Sequence, residues 1–237
     1  MVNRRDVSPL RRLKPPEAAA AAGILFAVLF ASSLVLMRSA IPEDPFAQTI
    51  WVPQGRTRIT VALVLAPVAC IAFLWFIGVV RDHLGDLEDR FFSTVFLSSG
   101  LLFLAMTFVS MAIAGAILTV TEQSVTGASV FVYFGRALML QISNVWALRM
   151  AAVFMISLAT IWLRTGLMPR WMVTITYVLA AVLLLVISRS LWTTLVFPTW
   201  VCVVSLVILA PSRQKRSDDD VPVRPRKARS TRRIEGS

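Results

Sequence analysis

The chain has 237 residues, 57% of them hydrophobic, with a mean hydropathy of +0.74 and a formal net charge of +11. An ordinary soluble domain holds about 45 to 50% apolar residues, so the composition excludes that class and points to a membrane protein. The single histidine and two cysteines leave almost nothing for transition-metal or haem ligation.

The basic N-terminal tail, 1–17, ends in Pro15, Pro16 and Glu17, a suitable helix opening because Pro fits the first turn and an acid there complements the helix dipole. Six apolar blocks follow, at about 18–37, 59–80, 93–118, 143–163, 171–188 and 191–210. Each is near the roughly 20 residues that a helix needs to cross a hydrocarbon core of about 30 Å. The first block is too long for the apolar stretch of a signal peptide, about 7 to 15 residues, and is read as a retained span. Small residues recur along its face at Gly23, Ala27 and Ala31, along the second block at Ala62, Ala66 and Cys70, and along the third at Thr107, Ser110 and Ala114. Such stripes let helix backbones approach closely where lipid gives no hydrophobic drive for association. Pro67 and Pro198 each remove a backbone donor within a span. Trp51, Trp146, Trp162, Trp171 and Trp192, near block ends, fit interfacial aromatic belts.

The stretch from Ala128 to Leu163 is too long for one simple span. Its first part, about 128–141, is expected to be an outer interfacial or re-entrant stretch leading into the fourth span. Residues 211–237 are poor in apolar side chains and rich in Arg, Asp and Ser, and are expected to be a disordered tail.

The charge is asymmetric. Eighteen Lys and Arg fall in the two tails and the connectors at 81–90 and 164–170, against six in Arg38, Arg56, Arg58, Arg136, Arg149 and Arg189. The positive-inside rule then puts both termini in the cytoplasm, which an even number of spans allows. The fold expected is an all-α, polytopic transmembrane bundle of six spans in the cell membrane.

Arg149 lies inside the fourth block, where an ionisable group is costly and faces the bundle interior, water or a partner. Two readings fit. With Arg136, Gln141, Asn144 and Glu122 it lines an outward-facing polar vestibule for an anionic group, or it snorkels to the outer headgroups. In the connector, Arg81, Asp82, Asp86, Glu88, Asp89 and Arg90 make a capped, salt-bridged hairpin in which Gly85 suits a tight turn. In the C-terminal tail, Arg224, Arg226, Lys227, Arg229, Arg232 and Arg233 suit contact with anionic lipid headgroups, at about 1 kcal/mol per charge. No Asp or Glu lies inside a block, which disfavours a proton relay, and phosphate-binding Gly loops, zincin motifs and a Ser/His/Asp set are missing. No catalytic residue, metal or cofactor is expected, and no nucleic-acid partner.

The hairpin Arg81 to Phe92 running into Ser93-Thr94-Val95-Phe96-Leu97-Ser98-Ser99-Gly100 resembles a segment of uncharacterised multi-pass bacterial membrane proteins. The resemblance covers about a quarter of the chain. It implies a bacterial cytoplasmic membrane protein and brings no activity. The leading expectation is a non-enzymatic accessory or scaffold subunit of a membrane assembly, meeting other membrane proteins or further copies of itself. The alternatives are a small transporter or channel for an anionic or amphipathic solute near Arg149, and an intramembrane lipid-modifying enzyme.

Overall fold

The computed structural model describes residues 15–41, 51–84, 90–122, 128–166, 168–185 and 191–219. These form α1 (Pro15–Ala40), α2 (Trp51–Leu84), α3 (Arg90–Glu122), α4 (Ala128–Gln141), a π-helical segment (Ile142–Ala147), α5 (Leu148–Thr165), α6 (Arg170–Leu185) and α7 (Leu191–Asp219). Among the described residues no strand occurs. Four helices are long and apolar enough to cross a membrane, Glu17–Ala40, Gln54–Asp82, Phe91–Glu122 and Ser129–Thr165, and two shorter apolar helices, Arg170–Leu185 and Thr193–Leu209, complete the set.

Helix ends follow local chemistry. Glu17 sits in the first turn of α1 and Arg38 in its last, each at the end of the dipole that favours its charge. The α5 helix stops at Gly166, whose φ of 67° is the left-handed conformation that glycine adopts without penalty. The Gly166 N–H there donates to the Trp162 carbonyl at 2.9 Å.

Three places add detail to the sequence expectation. The stretch at 128–141 is helix, and it runs into α5 without a break, because Gln141 and Leu148 on either side of the π segment keep right-handed helical backbone. Ser129–Thr165 is thus one continuous helix. The α7 helix continues to Asp219, past the expected end of the span at Ala210, so the start of the C-terminal tail is helical. Trp162 is only 4% exposed and lies against Trp200, with ring centroids 6.1 Å apart, so it belongs to the core and not to an interfacial belt.

The bundle centre is aromatic. Phe26 of α1, Phe73 and Phe76 of α2, Phe103 of α3, Phe154 of α5 and Phe197 of α7 are all buried and form a continuous set of stacked, tilted and edge-to-face pairs. Aromatic pairs in these geometries add about 0.5 to 1.5 kcal/mol each beyond burial. The small-residue stripes make this possible. Ala62, Ala66, Cys70, Thr107, Ser110 and Ala114 are buried, and a Cβ built on Gly23 would fall 2.0 Å from Ser205 Oγ.

Polar side chains tie helices together where backbones come close. Ser33 donates to the Ala62 carbonyl at 2.9 Å between α1 and α2, and Ser110 donates to the Met139 carbonyl at 3.1 Å between α3 and α4. A second, smaller core gathers Met37, Ala40, Ile59, Ala62, Ala114, Ile117, Val132 and Met139 at one end of α1, α2 and α3 with α4. That end also holds the Arg56–Glu122 ion pair and the Arg58 bond to the Ser39 carbonyl. At the other end Arg164 lies 4.5 Å over the Phe92 ring.

Candidate functional site

The five residues expected around a vestibule divide between surface and interior. Glu122 pairs with Arg56 at the exposed end of α3, and Gln141 is exposed. Arg149 is half-buried, its guanidinium 5.5 Å from the ring of Trp146, which is exposed on the preceding turn. A cation over an indole at a helix exterior is a stable arrangement in itself.

Arg136 and Asn144 go inward. Arg136 is 2% exposed, on the α4 face that also carries Val132 and Met139, at the spacing of one helical stripe. Asn144, 6% exposed, sits within the π segment, where its Oδ1 accepts from Ser143 at 3.1 Å. Its Nδ2 has no hydrogen-bond partner among the described residues. An unsatisfied buried donor costs about 1 to 3 kcal/mol, and π turns occur often at functional positions. Asn144→Leu is therefore expected to raise the unfolding midpoint in detergent, because it removes the unmet donor along with the weak Ser143 bond. A lower midpoint would mean that a bound group satisfies the amide.

Of the hairpin residues, Arg81 and Asp82 are exposed at the end of α2, and Arg90 opens α3. Asp86, Glu88 and Asp89 lie outside the described residues, as do the tail residues Arg224, Arg226, Lys227, Arg229, Arg232 and Arg233. Among the described residues no group of three His, Cys, Asp or Glu side chains could hold a metal ion.

Sequence reasoning misses a cleft between α6 and α7. It has a volume of about 500 Å³ and is walled by Met172, Ile175, Leu179, Leu195, Val196 and Val203, with Trp171, Thr176, Thr199 and Trp200. The α6 helix rests chiefly on α5, and α7 chiefly on α1, so the two part from one another. What joins them is polar. Trp200 Nε1 donates to Thr176 Oγ1 at 3.0 Å, and Thr176 Oγ1 donates to the Met172 carbonyl at 2.8 Å. No signal in the sequence marks the cleft, since both walls read as ordinary apolar spans.

The chain matches no protein-family model, no curated protein and no solved structure.

Proposed function

We propose that the protein is a six-span membrane protein with both termini in the cytoplasm, acting as a non-enzymatic accessory or scaffold subunit of a larger membrane assembly. The observation that carries this reading is the outer helix α4. Counted back from Arg164 at the cytoplasmic end of α5, a hydrocarbon core of about 30 Å is crossed in about 20 residues, which ends near Asn144. Residues 128–141 then stand in or beyond the outer headgroups. Yet the face of α4 turned away from the bundle carries Val130, Phe131 and Phe134, each more than 60% exposed. An apolar patch held outside the hydrocarbon marks an interaction site. The aromatic centre supports the same reading, because close-packed Phe rings at the level of Phe73 and Phe103 occupy the path that a solute would take through the middle.

The experiment is site-specific photocrosslinking in native membranes from Phe131 and Phe134, with Val64 on the exposed face of α2 as the lipid-facing control. A discrete protein adduct from α4 and only lipid adducts from Val64 are expected. Lipid adducts alone from all three positions would overturn the reading.

A second reading is favoured by the burial of Arg136 beside the π segment. A cation inside the outer end of a membrane bundle suits an anionic or amphipathic solute. Anion flux through reconstituted vesicles, abolished by Arg136→Gln in a folded protein, would establish it in place of the first.

A further inference from the structure

We propose that the cleft between α6 and α7 binds one acyl chain of an anionic phospholipid from the cytoplasmic leaflet, with its phosphate held at Arg170. The inference rests on the reading of the chain as membrane-spanning with both termini cytoplasmic, and on no particular function.

The walls specify hydrocarbon. Nearly all of the lining is aliphatic or aromatic, and the polar atoms at its centre, Trp200 Nε1 and Thr176 Oγ1, are already bonded to each other. Water needs two to four polar partners to stay in such a place. A volume of about 500 Å³ lies within the usual range of small-molecule sites.

Length and position select one chain of one leaflet. The α6 wall runs from Trp171 to Leu179, about 12 Å of helix, against about 15 Å for half of the hydrocarbon core. The α7 wall runs from Leu195 to Val203, and the two walls meet where Trp200 bonds to Thr176. Ile175 and Val203 are both nearly half exposed, so the cleft is open laterally, where lipid is the surrounding solvent.

Charge selects the headgroup. At the Arg170 end of the cleft Trp171 is 59% exposed, the residue type favoured at headgroup depth. Arg170 is exposed and, among the described residues, has no carboxylate partner. A guanidinium binds phosphate through paired, charge-assisted hydrogen bonds. It stands in the first turn of α6, where the helix dipole adds to its positive field.

Native mass spectrometry of the full chain released from vesicles of equal phosphatidylglycerol and phosphatidylcholine tests the inference. One retained phosphatidylglycerol per chain is expected. Val203→Trp and Ile175→Trp, which fill the cleft from opposite walls, should abolish retention without lowering the thermal midpoint. Arg170→Gln should reduce the preference for phosphatidylglycerol about fivefold, as the loss of one basic group at the membrane surface implies. Arg81→Gln, which removes an exposed charge from the same end of the bundle, should leave it unchanged.

Unchanged retention in either folded cleft variant would overturn the site, as would a peptide or a second copy of the chain occupying it. Equal losses in the Arg170 and Arg81 variants would overturn the headgroup assignment. If one tryptophan variant does not fold, the other and the two arginine variants still decide. Alkaline carbonate extraction separates the two levels: protein that stays in the membrane but retains no lipid refutes the cleft alone, whereas extracted protein refutes the membrane reading itself.

Discussion

Phe73→Ala is expected to destabilise the bundle by about 3 to 5 kcal/mol, the usual cost of emptying a large aromatic site. Phe73 is fully buried and its ring meets those of Phe26, Phe76, Phe103, Phe154 and Phe197, so it joins helices from across the bundle at one level. The cavity cannot close easily, because the surrounding rings are themselves held by others. Phe26 stacks on Phe30, Phe154 on Phe96 and Phe197 on Trp200. Phe73→Leu keeps much of the volume and should cost well under half as much. Unfolding in mixed micelles with increasing denaturing detergent gives both values. A loss below about 1 kcal/mol for the alanine variant would mean that the rings are not close-packed, and the case against a central solute path would fail with it.

The second large effect is expected at Gly23. A Cβ there would meet Ser205 Oγ at 2.0 Å and Phe76 Cδ2 at 2.9 Å, so α1 is pressed against α7 and α2 at the same residue. Ser205 cannot simply turn away, since its hydroxyl is bonded to the Val201 carbonyl at 2.8 Å and the side chain is fully buried. Gly23→Ala should cost about 1 to 3 kcal/mol by overpacking, and Gly23→Val should prevent assembly of the bundle. Part of the alanine loss should be recovered in the double variant Gly23→Ala, Ser205→Ala, which removes the nearest obstructing atom. A double-mutant cycle on thermal midpoints measures this coupling, and strict additivity would contradict the close approach.

These two positions are legible in the sequence to different degrees. Gly23 announces itself through the spacing of Gly23, Ala27 and Ala31, because small residues four apart on an apolar helix have few uses other than close packing. Phe73 does not, since phenylalanine is equally at home facing lipid, and only the assembled bundle turns it to the centre. Trp162 misleads for the same reason: nearness to a block end suggests an interfacial belt, while its partner Trp200 lies far along the chain.

The candidate polar residues show a sharper limit. Val132, Arg136 and Met139 share one helical face, but Val130, Phe134 and Leu138 make an equally apolar stripe that is exposed, so spacing groups Arg136 with its neighbours without turning it inward. Asn144 cannot be placed that way, because Ile142–Ala147 carries no Gly, Pro or turn signature, and a change from α to π winding alters which residues face the core. The cleft is beyond sequence reasoning altogether. It arises from which neighbours α6 and α7 choose, and a gap between two helices leaves no mark on either one.

The π winding bears on how α4 is aimed. A helix that tightens from π to α winding gives up about one residue per turn, and each residue of an α-helix turns the chain by about 100°. Removing one residue within Ile142–Ala147 would thus let the wide turn close to α winding, the lost residue and the tighter winding offsetting each other, so that α4 keeps nearly the same bearing relative to α5. Removing one residue from α5 instead, where no wide turn can absorb it, would rotate Phe131 and Phe134 by about 100° and turn the stripe of Val132, Arg136 and Met139 away from the bundle. The exposed aromatic face therefore keeps its compass heading through a deletion in the π segment and loses it through the same deletion in α5, independent of the identity of the residues that form the face.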